Sequence, residues 1–414
     1  VSIFDPQNAA EDVAELPTTE PTANVEGVKI LQIVTRSELR GAEVFAGQLS
    51  DALAARGHEL WLAALYRNTG GPAQLLANPQ RQIELNGKVK GRIEPLTLLR
   101  LARLMRQIQP DVVQANAFHA LKYAVLAKHI IRKPFKLVYR NVSMASDWTR
   151  GQCRRAWGRW LMRSVDAVTS VSDISARDFC QLYKYPVART WTILRGVHVP
   201  VSVDRDKARQ RVSEIVGLEL PGPLLFHIGG FTAEKNHAGL LAAYERVCDR
   251  HPNAHLILCG DGPLRESMIQ LAKERSLSSV HFLGATTDAR ELLTAADLLL
   301  LSSHTEGIPG VVLEAAAVGI PSVCTDVGAI RDLLEDGVSG RVVPPGNSDA
   351  FANAVSELLD DVPRRKRFGN EARKHVLGVH GMSHCAESFD LLYRLSMDTG
   401  STLETISNLD GRIC

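Results

Sequence analysis

Residues Leu298–Gly346 read LLLLSSHTEGIPGVVLEAAAVGIPSVCTDVGAIRDLLEDGVSGRVVPPG, and their pattern decides the fold. Four leucines, Leu298 to Leu301, predict a strand buried on both faces. A polar loop, Ser302–Gly307, follows. Pro309 then opens a helix, where its missing N–H costs nothing. The helix runs on through Glu314, Ala315, Ala316 and Ala317 and stops at Gly319. A second strand is predicted at Pro321–Cys324, then a loop at Asp326–Gly328, a helix, and a short strand at Arg341–Val343. Strand alternating with helix is the mark of a parallel sheet.

Two carboxylates stand out. Glu306 lies in the loop at the carboxyl end of a strand, and Glu314 lies within the following helix. Ligands of open parallel sheets bind at that end of the strands. Backbone N–H groups at the helix start, near Gly310 and Val311, favour an anion in the same place. Two acceptors beside an anion site suit a ligand with a diphosphate and several hydroxyls, a nucleotide-sugar. Taken alone, the pair reads equally well as a solvated loop residue and a helix-surface residue.

The flanking residues decide between these. The stretch resembles glycosyltransferase family 4, the retaining GT-B glycosyltransferases, whose signature is E-x7-E within EG-x-P-x-x-x-x-E-A-x-A-x-G-x-P-V and a Gly-rich loop after it. Glu306, Gly307, Pro309, Glu314, Ala315, Gly319, Pro321 and Gly328 fall in place. The resemblance implies that Glu306 contacts the donor sugar and Glu314 the ribose hydroxyls. It implies an α/β fold of two Rossmann-like parallel-sheet domains facing a cleft, with a C-terminal helix crossing back to the first.

Length and composition agree with such a fold. The chain has 414 residues, 45% hydrophobic and 23% charged, as expected of two or three globular domains. No apolar run is long enough to span a bilayer. Residues 1–26 carry six acidic residues and no Lys or Arg, which predicts a disordered head and no signal peptide. Seven scattered cysteines, none in C-x-x-C spacing, fit a reducing cytoplasm. The net charge of +2 hides an asymmetry. Residues 27–200 hold 27 Lys and Arg against 11 Asp and Glu, and residues 201–414 hold 21 against 29. The basic half is expected to face something anionic.

In chain order, a strand at Val28–Thr35 leads into a loop, Arg36–Gly41, and a helix, Ala42–Arg56. The family has a Gly-rich turn here that approaches the donor phosphates. Gly41 fits it, and Arg40 stands where a glycine is usual. A purely structural turn is the alternative. After the short strand Asp111–Gln114, His119 matches the family histidine that points at the donor sugar and diphosphate, with Asn116 where a second histidine is usual. A structural histidine is the alternative reading. The segment from Trp148 to Ser164 sets Arg150, Arg154, Arg155, Arg159 and Arg163 beside Trp148, Trp157 and Trp160. It suggests adsorption to an anionic membrane surface, or else a solvated helix with its tryptophans in the core. Residues 27–200 are expected to form the acceptor-binding domain, 201–222 a linker, and 223–375 the nucleotide-sugar domain. A returning helix is expected over 376–398 and a loose tail over 399–414.

The second domain opens with a strand, Leu224–Ile228, then Gly229 and Gly230, a pair that lets backbone approach a phosphate. Lys235 supplies a cation. The family has an arginine where this chain has Gly230, and Arg40 and Arg195 are the candidate substitutes. The turn Gly260-Asp261-Gly262 lies at the same sheet edge. The resulting expectation is a retaining transferase moving sugar from a UDP- or GDP-sugar to a glycan or lipid-linked acceptor in cell-envelope or exopolysaccharide synthesis. No metal or other cofactor and no nucleic acid is expected. The chain would be cytoplasmic, peripheral on the membrane's inner face. The competing readings are an epimerase or phosphorylase on the same framework, and a non-catalytic nucleotide-sugar or glycolipid scaffold.

Overall fold

The computed structural model describes residues 27–397 except 39–40, 68–72, 89–92, 132, 150, 199–203 and 287–288. The head expected over 1–26, the tail over 399–414, and Arg40 and Arg150 lie outside the described residues.

The first domain runs β1 (Lys29–Arg36), α1 (Gly41–Ala55), β2 (Glu59–Tyr66), β3 (Gln82–Gly87), α2 (Pro95–Ile108), β4 (Val112–Ala115) and α3 (Phe118–Ile131). It continues with β5 (Lys136–Asn141), α4 (Ala145–Trp148), α5 (Gln152–Met162), β6 (Ala167–Ser170), α6 (Asp173–Tyr183) and β7 (Thr190–Thr192). Its seven strands are parallel, in the order β3-β2-β1-β4-β5-β6-β7.

The second domain runs α7 (Arg205–Val216), β8 (Leu224–Ile228), α8 (His237–Arg250), β9 (His255–Cys259), α9 (Arg265–Glu274), β10 (Val280–Gly284) and α10 (Ala289–Leu293). Then come β11 (Leu298–Leu301), α11 (Gly310–Ala317), β12 (Ser322–Thr325), α12 (Ile330–Leu333), β13 (Gly340–Val343), α13 (Ser348–Asp360), α14 (Val362–Val379) and α15 (Met382–Met397). Its six parallel strands are ordered β10-β9-β8-β11-β12-β13.

Both sheets are buried on both faces, as an all-parallel sheet must be. The leucine run β11 alternates between two cores. Leu299 and Leu301 pack with α10 and α11, while Leu298 and Leu300 pack with α8 and α13. The strand order of each sheet reverses once, between β1 and β4 and between β8 and β11. Such switch points open a crevice at the carboxyl ends of the strands.

The last helix belongs to the first domain. Phe389, Leu392 and Tyr393 of α15 share one core with Ile30, Phe45, Val112 and Val138. Each large apolar side chain buried there stabilises by about 1.5–3 kcal/mol. The outgoing and returning chain segments are tied together. Val197 N donates to His380 O at 2.8 Å, Met382 N donates to Val197 O at 3.1 Å, and His380 Nδ1 lies 3.0 Å from Arg195 O.

Several expectations meet a different outcome. The edge strand β3 had no clear pattern in the sequence. Leu96 and Leu99 of α2 are exposed, although they keep helical period with its buried residues. The basic run Arg364–Arg367 lies in the first part of α14, whose Asp361 cap accepts from Arg364 N. The stretch 201–222 carries α7, capped by Asp204. Trp148 sits on α4, apart from the arginine-rich α5.

A buried polar chain joins α15 to the first sheet. Tyr393 Oη donates to Gln114 Oε1 at 2.6 Å, Gln114 Nε2 donates to Asn116 Oδ1 at 3.0 Å, and Asn116 Nδ2 donates to Gln32 Oε1 at 2.7 Å. Replacing Tyr393 by Phe leaves the Gln114 oxygen buried without its donor. We expect Tyr393→Phe to lower unfolding stability by about 1–3 kcal/mol in urea titration.

Candidate active site

The second switch point brings the predicted residues together. Past β8 the chain makes a tight turn over Ala233–Lys235, and past β11 it forms the Ser302–Gly307 loop. Three contacts stitch these segments. Asn236 Nδ2 donates to Ser302 O at 3.1 Å, Ser302 Oγ donates to Asn236 O at 3.1 Å, and His304 N donates to Glu234 O at 2.7 Å. Asn236 is held at φ 51°, and its side chain caps α8 through Gly239 N. Thr325 Oγ1 donates to Ser303 O at 2.6 Å and secures the loop from the β12 side.

On this frame Glu306 meets its partners. Lys235 Nζ lies 2.6 Å from Glu306 Oε1, and Ser303 Oγ donates to the same oxygen at 2.6 Å. The Glu306 side chain is 8% exposed and that of Lys235 22%. Both contacts offset the cost of holding a carboxylate so far from water.

Glu314 is held by two arginines from different parts of the fold. Arg290 Nη2, at the start of α10, is 2.9 Å from Glu314 Oε1, and Arg195 Nη2, from the loop after β7, is 3.8 Å from it. Gln48 of α1, with its amide oxygen toward Arg290, adds a contact from the first domain. Gly310 begins α11 with Pro309 as its cap. The Arg195 guanidinium lies directly against Gly310, in the space a side chain there would take.

The remaining candidates divide. Gly41 opens α1, and a Cβ on it would lie 3.3 Å from Arg195 Nη1, so the first-domain turn reaches the same place. Gly307 crosses the cleft as well, since its added Cβ would lie 2.8 Å from Val142 O. Gly229 follows β8 with Lys235 beside it, and Val311 is half-buried in the first turn of α11. Gly262 has a structural reason to be glycine, because a Cβ would come within 2.7 Å of Phe231 O. Gly230 has no such reason; an added Cβ would meet Asp261 O at 3.5 Å, an ordinary contact. His119 sits in the first turn of α3, at the carboxyl end of β4 and beside the first switch point. Asn116, before it, is committed to the buried chain with Gln32 and Gln114.

Sequence reasoning missed Arg140, Arg290 and Ser303. Arg140 lies on β5 at 4% exposure, with its guanidinium 3.9 Å from the Phe45 ring centroid. Burial and the neighbouring Arg195 pull its pKa down to about 9. A charged residue inside the apolar strand KLVYRN was the signal available for it. Arg290 and Ser303 carried none.

A cavity of about 710 Å³ opens between the domains on the Glu314 side, lined by Gln48, Val197, His198, Lys207, Arg211, Arg290 and Glu314 among others. Its size suits a small ligand. It does not include Glu306 or Lys235. Among the described residues, no group of three or more His, Cys, Asp or Glu is placed to hold a metal ion.

Two parallel-sheet domains with the last helix returned to the first, and a charged crevice between them, define a GT-B architecture. Residues 39–199 match the family described as Glycosyltransferase Family 4, and residues 208–375 match Glycosyl transferases group 1. The chain belongs to this glycosyltransferase family and is a GT-B transferase. The N-acetyl-alpha-D-glucosaminyl L-malate synthase of Bacillus anthracis is 26% identical over 85% of this chain and 93% of its own length. The lipopolysaccharide core biosynthesis glycosyltransferase LpsE of Rhizobium meliloti is 27% identical over 82% of this chain and 91% of its own. Among solved structures, Anabaena HepE in complex with UDP-glucose superposes with a TM-score of 0.76 at 20% identity, covering 89% of this chain and 100% of that one.

Removing Lys235 alone strands a mostly buried carboxylate. We expect Lys235→Met to cost about 1–3 kcal/mol of unfolding stability, less than for a fully dry pair because Lys235 is partly solvated. Adding Glu306→Gln should recover most of that loss. A double-mutant cycle by chemical denaturation reads the coupling, and simple additivity would contradict it.

Proposed function

We propose that the chain is a retaining glycosyltransferase that takes a sugar from a UDP- or GDP-sugar. The observation that carries the reading is the Lys235–Glu306 pair at the β8/β11 switch point, 2.6 Å apart and joined by Ser303. It sets a cation and a hydroxyl acceptor side by side, which suits a sugar linked to a diphosphate. HepE, solved in complex with UDP-glucose, shares the fold and supports a nucleotide-sugar donor. In this reading Glu306 orients the sugar hydroxyls, Glu314 the ribose hydroxyls, and His119 approaches the sugar or diphosphate across the cleft. Gly41, Gly229, Gly230, Gly307, Pro309, Gly310 and Val311 shape the donor site, and the N–H groups of α11 face the diphosphate.

The reaction breaks the bond between sugar C1 and the diphosphate oxygen. The acceptor oxygen forms its bond to C1 on the same face, and its proton passes to the departing phosphate. Lys235 and the α11 N-terminus stabilise the charge that develops on the leaving group, with no metal ion required. The product anomer keeps the donor configuration.

The acceptor in this reading is a glycan or lipid-linked glycan met at a membrane surface. Trp148, Trp157 and Trp160 are 61%, 39% and 38% exposed, which is against the reading that puts them in the core. Trp157 and Trp160 stack at 5.0 Å on α5, beside the exposed Arg154, Arg155 and Arg159. No described helix is long and apolar enough to cross a membrane. Exposed indoles flanked by cations suit the interface of an anionic bilayer.

A panel of UDP- and GDP-sugars with EDTA present, read by donor turnover and NMR of the product anomer, tests the catalytic reading. One donor is expected to turn over with retention, and Glu306→Ala to lower kcat at least about 100-fold. Inversion, or turnover untouched by Glu306→Ala, would refute the assignment. Flotation with anionic vesicles at low salt tests the surface. Wild type is expected to float and Trp157→Ser/Trp160→Ser to remain at the bottom.

A further inference from the structure

Arg195 carries a charge that the protein answers only in part, through a loose ion pair with Glu314 at 3.8 Å. Its side chain is 9% exposed, yet among the described residues it makes no hydrogen bond. The carboxylate oxygen nearest it, Glu314 Oε1, stands 3.8 Å away and is already engaged by Arg290 at 2.9 Å. The Phe45 ring lies 5.7 Å from the Arg195 guanidinium carbon, but Arg140 occupies that ring at 3.9 Å. Arg140 adds like charge, and its Nη1 also lacks a partner among the described residues. Buried charges persist when paired and hydrogen-bonded. Arg195 and Arg290 therefore set two positive charges against the single carboxylate of Glu314, with Arg140 sharing the Phe45 ring with Arg195.

This loosely paired guanidinium has a definite address. It covers Gly310, the first residue of α11, whose free N–H groups attract an anion, and it touches the turn at Gly41. Gly230 has no side chain although there is room for one.

We propose that Arg195 binds the diphosphate of the nucleotide-sugar from the first-domain side of the cleft, taking the place of a cation that Gly230 cannot supply. The assignment rests on the nucleotide-sugar reading above. It makes the diphosphate a bridge between domains, with Lys235 on the second-domain side and Arg195 on the segment where the chain leaves the first. The planar guanidinium offers two parallel donors to phosphate oxygens, which an asparagine or lysine at this position does not.

The test compares nucleotides with the same ligands stripped of phosphate. UDP and GDP are titrated by calorimetry into wild type, Arg195→Gln, Arg195→Lys and Arg195→Gln/Gly230→Arg. Uridine and guanosine are read by saturation-transfer NMR. Wild type is expected to prefer one diphosphate strongly over its nucleoside. Arg195→Gln should weaken that diphosphate about 10- to 100-fold while leaving the nucleoside within about twofold. Arg195→Lys, which keeps the charge and not the fork, should lose less, and it serves if the glutamine variant does not fold. Gly230→Arg in the glutamine background should restore about tenfold. Equal diphosphate affinity in wild type and both Arg195 variants overturns the proposal and leaves the proposed function standing. A parallel loss of nucleoside and diphosphate also overturns it, since Arg195 would then act only by shaping the site. If wild type binds neither nucleotide, the proposed function fails and takes this assignment with it.

Discussion

The molecule depends on keeping carboxylates charged in places that water scarcely reaches. Glu306 is fixed by an ammonium and a hydroxyl on one oxygen, each at 2.6 Å. An unpaired carboxylate at that depth would cost roughly several kcal/mol. To deliver Lys235 and Ser303 together, the loop after β8 and the loop after β11 must be stitched through Asn236, Ser302 and His304. That stitching is available only because β8 and β11 are neighbours, although 70 residues apart in sequence number from Ile228 to Leu298. The sheet order is thus a condition of the electrostatics.

How much of this the sequence disclosed follows from where each signal is carried. Strands buried on both faces advertise themselves, and β9 and β11 lie where the apolar runs place them. So does α15, whose apolar period is intact over Met382–Met397. The edge strand β3 did not, because Asn86 and Gly87 dilute its pattern and Asn86 takes a positive φ. Glu306, Lys235 and Glu314 were legible because a strand end, a helix start and a family pattern coincide on them. Arg290 was not, since an arginine in the first turn of a short helix looks like any solvated residue. Its meaning arises only when α10 and α11 converge on Glu314. Leu96 and Leu99 mislead for the opposite reason: they keep helical period with buried neighbours yet point outward.

The first domain contributes to the cleft through residues whose backbones are fixed elsewhere. Arg195 O lies 3.0 Å from His380 Nδ1, and Val197 is paired on both sides with the segment that starts α15. The two crossings between domains are therefore one structural unit, anchored beneath by Phe389 and Tyr393 in the first core. A change in the angle between the domains would have to turn about this unit or strain it. Residues near such an axis would move less than the more distant parts of the cleft.

The uneven charge of the chain has two separate causes in three dimensions. Some of the first domain's basic residues are internal. Arg140 and Arg195 are at least nine-tenths buried and face the cleft around Phe45. Others, including Arg154, Arg155 and Arg159 on α5, are exposed among indoles. The first group lies at low dielectric, where salt screens its interactions little. The second acts through solvent and is screened within about 8–10 Å at ordinary ionic strength. One net charge thus divides into a salt-resistant part in the cleft and a salt-sensitive part on the surface. That division gives ionic strength a use: it distinguishes loss of donor contacts from loss of surface contacts in the same protein.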